Sequence, residues 1–139
     1  MAFTGNYMCT SFKLALLGGE MDFSSDTSQV FKAALYTSSA TLDASTTAYS
    51  TTNEVSGTGY TALGNTLTPT ITTSGTTAYI DFADTSWTSS TITARGALIY
   101  KYDNSSNPAI AVLDKTTTSS TFTITFPTAA ASSAILRIG

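Results

Sequence analysis

The sequence predicts an all-β fold, an antiparallel β-sandwich or jelly-roll-like barrel, with a short N-terminal helix. Three observations predict it. Short runs of alternating apolar and polar residues recur along the chain, separated by Gly, Pro, Asn and Ser clusters. Roughly a third of the residues are Ser or Thr, and Thr with Val, Ile, Tyr and Phe favours a pleated surface. Strand-like and helix-like segments do not alternate, which argues against a doubly wound α/β sheet. The 139 residues suit one domain. Residues 1–20 form its N-terminal arm and short helix, and residues 28–139 its sandwich.

The elements follow in chain order. Met8, Phe12, Ala15 and Leu16 recur at helical spacing and Gly18-Gly19 supplies a stop, so a short helix is expected near residues 7–17. VFKAALYT, Val30 to Thr37, is the first strand. Residues 38–64 form a long Ser/Thr/Gly-rich connection. TLTPTITT, Thr66 to Thr73, is a strand interrupted by Pro69, which suits an edge because proline donates no ladder hydrogen bond. Ser74-Gly75-Thr76 is a turn, Ala78 to Phe82 the next strand, and Trp87 sits in the polar connection DTSWTSS. The longest strand is TITARGALIYKY, Thr91 to Tyr102, with Ile92, Ala94, Gly96, Leu98, Tyr100 and Tyr102 on one face. Gly96 in its middle marks a bulge or a close backbone approach. Residues 103–108 are a loop, Ala109 to Leu113 a strand, and Lys115 to Ser120 another loop. FTITF, Phe122 to Phe126, alternates cleanly until Pro127. Ala134 to Ile138 closes the chain.

Composition excludes several functions. Charged residues make up 11% of the chain, the net charge is -3, and six basic residues stand singly. No basic face forms, so neither nucleic acid nor an anionic membrane is an expected partner. No apolar run is long enough to span a membrane, and no secretory signal is visible. The chain has no His and a single cysteine, Cys9. Histidine-dependent triads are thereby removed, as are most transition-metal sites and any internal disulfide. Cys9 reads as a small core residue. No metal and no cofactor is expected.

Within EVSGTGYTALG, residues 54–64, GTGYTA fits the dinucleotide pattern G-x-G-x-x-G/A, and Asp81 has roughly the right spacing for a ribose contact. The surroundings fail. A polar stretch precedes it instead of a strand, and Gly64, Thr66 and Pro69 prevent a helix after it. Its glycines read as backbone freedom that lets Tyr60 pack. Two carboxylate pairs, Asp81 with Asp84 and Asp22 with Asp26, are the remaining candidates for glycosidase or calcium chemistry. Their plainer reading is strand-end and turn chemistry. The seven tyrosines and Trp87 read as core or interface anchors, with a sugar-binding face as the alternative.

FTGNYMCTSFKLALL, FKAALYTSSATLDASTTAY, TTNEVSGTGYTALGNTLT, DFADTSWTSSTITARGALIY and SSAILRIG together resemble small virion proteins of tailed bacteriophages. Capsid decoration (cement) proteins are the members most similar in being small, β-rich and rich in Ser and Thr. The resemblance runs from Phe3 to Gly139. It departs after VLD, where Asp114-Lys115 leads directly to TTTSS instead of to a longer segment. It implies a non-enzymatic homotrimer on the outer capsid surface of a virion made in the host cytoplasm, bound to the major capsid protein. A tail, neck or fibre-associated component, or a carbohydrate-binding module for host adsorption, are the alternatives. The candidate subunit or capsid interface is Phe3, Tyr7, Met8, Phe12, Tyr60 and Trp87. For the N-terminal members of that set, plugging one end of the sandwich is the competing role.

Overall fold

A computed structural model describes residues 3–24 and 28–139, and all that follows concerns these. The chain is mainly β, and every strand pairing is antiparallel. The strands are β1 (Tyr7–Met8), β2 (Val30–Tyr36), β3 (Asn65–Leu67), β4 (Pro69–Ser74), β5 (Thr77–Phe82), β6 (Thr85–Trp87), β7 (Thr93–Tyr102), β8 (Ala109–Ser119), β9 (Phe122–Ile124) and β10 (Leu136–Ile138). One helix, α1, spans Thr10–Leu17. The strands form a five-stranded sheet in the order β1-β8-β7-β2-β3, a three-stranded sheet β10-β5-β4, and a two-stranded pair β6-β9.

The large sheet is built on β7, whose Ala97 to Tyr100 are buried without alternation. The expected single inward face is therefore two covered faces. Ala97 and Ile99 lie opposite Leu35 and Ala33 of β2, on the face shared with Phe31. Phe31 stacks on Phe23 at 4.5 Å between ring centroids and lies 6.2 Å from Phe82 of β5, which joins the large sheet to the small one. On the other face, Tyr100 stacks under Tyr49 at 4.8 Å. The connection 38–64 thus roofs the sheet that β2 and β7 build.

Pro69 does more than blunt an edge. The chain leaves the large sheet at Leu67, the last residue of β3, and enters the small sheet at Pro69, the first of β4. One expected strand is therefore two edge strands of different sheets. Gly75-Thr76 then forms a two-residue hairpin loop, with Gly75 at φ 59° as such loops require. Three further expectations are corrected. Tyr7 and Met8 pair with Val112 and Ala111 in β1 instead of entering the helix. Lys115 to Ser119 extends β8, because Thr and Ser continue a pleated ladder opposite Thr93 and Ala94. Trp87 ends β6, paired with Phe122.

The expected irregularity at Gly96 is present. The β7–β8 register slips between Ala94 and Gly96. A side chain at Gly96 would overlap the Phe3 ring and the Leu113 carbonyl. Gly96 is thus where the N-terminal arm lies against the sheet.

Candidate functional site

The six expected interface residues fall into three places. Phe3 is buried against Gly96, with its ring 5.6 Å from the Arg95 guanidinium, which itself pairs with Asp114. Asn6 Oδ1 accepts the Asp114 N–H at 2.7 Å, fastening the arm to β8. Tyr7, Met8 and Phe12 come together in one apolar cleft of about 270 Å³ between β1–β8 and β5–β10, with Phe82, Val112 and Leu136 on its other walls. Phe12 is buried there and meets Phe23 edge-on at 6.0 Å, while Tyr7 and Met8 are half-buried. Tyr60 and Trp87 meet each other at 6.0 Å, and Trp87 is buried with its far side against Phe122. Phe3, Phe12 and Trp87 are thus buried within their own chain, and Tyr60 is half-buried against Trp87.

Tyr60 belongs to a polar cluster under the 38–64 roof. Its hydroxyl donates to Glu54 Oε1 at 2.7 Å and accepts the Leu35 N–H at 3.0 Å. Tyr49 donates to Glu54 Oε2 at 2.5 Å, and the Leu63 N–H to Oε1 at 2.8 Å. Tyr36 donates to the Ser50 carbonyl at 2.6 Å and Tyr100 to the Leu63 carbonyl at 2.8 Å. Burial, helped for Tyr49 and Tyr60 by the hydrogen bond to Glu54, raises all four hydroxyls well above the ordinary tyrosine value. They stay neutral donors. Leu63 carries φ 78°, a costly value for a branched side chain, and both of its backbone polar groups are held by this cluster. Gly59 and Gly64 take φ 84° and 71° beside it. The glycines of GTGYTALG therefore serve the tight course of a roof loop.

The remaining candidates separate as well. Cys9 is fully buried, and its thiol is pushed up to about 11, first by burial and then by Asp43, with Lys13 opposing. A thiol held there is a poor nucleophile. Asp84 Oδ1 accepts the Phe126 N–H at 2.8 Å, which ties the end of FTITF to the β5–β6 turn. Asp81 lies on β5 with Oδ1 buried and without a partner among the described residues. Burial raises its pKa, the Phe82 N–H lowers it, and Asp84 raises it. Asp22 accepts from Ser24, and Asp26 lies outside the described residues. Among the described residues no three His, Cys, Asp or Glu groups gather as a metal would need, and no helix is long and apolar enough to cross a membrane.

Several large apolar side chains are presented outward, and none of them is among the expected interface residues. On α1, Leu14 and Leu17, one turn apart, are 74% and 88% exposed. On the small sheet, Ile71 of β4 and Ile138 of β10 are 48% and 63% exposed. Helical spacing had marked the opposite, buried face of α1, and an exposed leucine carries no separate sequence signal. Comparison of the chain with family models, curated proteins and solved structures found no match.

Proposed function

We propose that the protein is a non-enzymatic virion structural protein, a capsid decoration (cement) protein that binds the major capsid protein lattice and stabilises the head as a homotrimer. The observation that carries the reading is α1. A short helix is fastened to a rigid all-β scaffold through buried Phe12, yet presents Leu14 and Leu17 to solvent. Two leucines exposed side by side on one helix face would suit an apolar contact with a partner. A repeating lattice would multiply a modest contact of this kind by avidity. The low charge, 11% of residues, leaves that contact weakly dependent on salt.

The grip is thus assigned to Leu14 and Leu17 in place of the buried Phe3 and Phe12. A Leu14→Ser, Leu17→Ser variant should fold normally and fail to associate with particles in a sedimentation assay. Retained association would reject the grip. Copy number in purified virions tests the wider reading: a number that follows the capsid lattice fits decoration, and a number matching tail symmetry assigns the protein to the tail, neck or fibre. For the sugar-binding alternative the aromatic supply is small, since Trp87, Tyr36, Tyr79 and Tyr100 are buried.

A further inference from the structure

We infer that the cleft between β1–β8 and β5–β10 is a binding site for a single-tailed amphiphile with an anionic head, a fatty carboxylate being the simplest member. The cleft, about 270 Å³, adjoins a second hollow of about 440 Å³, and Asn6, Leu113 and Ile135 stand in the walls of both. The joined space falls within the range of small-molecule pockets, about 300–1,000 Å³.

The lining of the cleft selects hydrocarbon. Phe12, Ile80, Phe82, Val112 and Leu136 offer no polar group. Asn6 and Tyr7 bring the polar side chains, and their oxygens are engaged. Asn6 Oδ1 accepts the Asp114 N–H, and the Tyr7 hydroxyl is hydrogen-bonded to Thr4 Oγ1. The edge of β8 is taken as well, because Val112 and Ala111 pair with Tyr7 and Met8, and the Cys9 N–H donates to the Ile110 carbonyl. A peptide strand laid against these walls would leave its own N–H and C=O groups unmet, which is costly. A hydrocarbon tail has none to satisfy and gains with every methylene taken out of water.

The second hollow selects the head. Asn6 and Lys115 both stand in its wall. Among the described residues, no hydrogen bond or ion pair engages Asn6 Nδ2 or Lys115 Nζ. Asp114, the carboxylate in the same wall, is paired with Arg95 and so does not oppose an anion. Two unused donors, one of them cationic, suit a carboxylate, which accepts hydrogen bonds and donates none. A cationic or purely apolar occupant would leave both donors unused. A bound tail fills the gap between the sheets, so occupancy stabilises the fold by mass action.

The site is independent of the virion reading and is tested on purified protein. Titration calorimetry with monomeric dodecanoate should show one saturable site per chain. Decanoate should bind about tenfold more weakly, for two fewer buried methylenes. Dodecyltrimethylammonium, and dodecanoate on Lys115→Glu, should each bind weaker by about tenfold, for the lost charged contact. Absence of saturable dodecanoate binding would overturn the site. Equal binding of the cationic amphiphile, or undiminished binding to Lys115→Glu, would overturn the anionic head. Should Lys115→Glu unfold, methyl NMR on the wild type decides. Dodecanoate should shift the Met8, Ile80 and Leu136 methyls. Shifts confined to Leu14, Leu17 and Ile71 would mean adsorption on the outer surface and reject the inference. Cleft methyls that ignore dodecanoate, and respond instead to protein concentration or to empty capsids, would assign the cleft to a second copy or to a capsid protein and overturn it as well.

Discussion

The roof over residues 38–64 and the sheet β10-β5-β4 have exchanged the roles their sequences suggest. The roof is rich in Ser, Thr and Gly and reads as loose connection. It is instead pinned by backbone bonds such as Val55 N–H to the Leu35 carbonyl (2.9 Å) and Tyr49 N–H to the Asn107 carbonyl (2.9 Å), and by the Glu54–tyrosine cluster. The small sheet reads as regular structure, yet it ends in open backbone and exposed isoleucine. Regular secondary structure and rigidity are separate properties. Rigidity follows how completely polar and apolar groups are satisfied inside one chain.

The contrast breaks first at Gly64. Its φ is 71°, and an added Cβ would overlap the Ala33 carbonyl, a backbone atom that cannot swing aside. Gly64→Ala should cost on the order of 3–5 kcal/mol in urea unfolding. A cost under about 1 kcal/mol would mean that the roof is free to lift. Glu54→Ala comes next, because it strips acceptors from Tyr49, Tyr60 and the Leu63 N–H together. A loss of about 2–4 kcal/mol is expected, and Tyr60→Phe alone should lose about 1–2 kcal/mol.

Alkaline unfolding sharpens the same point. The four clustered hydroxyls have folded pKa values raised above the ordinary 10.0. Ionisation is therefore harder in the folded state. The stability this reflects is complete below about pH 10 and is lost as pH rises from there toward the folded values. Denaturant midpoints should fall above pH 10, and fall less steeply in Tyr60→Phe; an unchanged slope would remove Tyr60 from the linkage. On the opposite side of the comparison, Leu14→Ser and Leu17→Ser should each change stability by no more than about 0.5 kcal/mol, since both side chains are already in water. A larger loss in thermal melts would make that face part of the core.

The strands were largely legible because alternation is local. FTITF shows this best: Phe122, Ile124 and Phe126 are buried while Thr123 and Thr125 are exposed. The loop at 103–108 was legible too, since Asp103 accepts from the N–H groups of Asn107 (2.8 Å) and Ser105 (3.0 Å) within its own segment. The candidate interface was less legible. Phe3 and Trp87 are buried in their own chain, and an apolar residue type carries no mark that distinguishes an anchor inside the chain from one aimed at a partner.

The sequence by itself determined the all-β class, the single short helix, the edge character imposed by Pro69, the irregularity at Gly96 and the burial of Cys9. Each follows from the covalent nature of a residue and its nearest neighbours. Only the tertiary structure decided that TLTPTITT divides between two sheets, that Thr and Ser extend β8, and that Glu54 gathers Tyr49 and Tyr60. It also decided which apolar residues remain outside. Those outcomes depend on which distant segment supplies a ladder partner, an acceptor or a covering surface, and no local period encodes the identity of that partner.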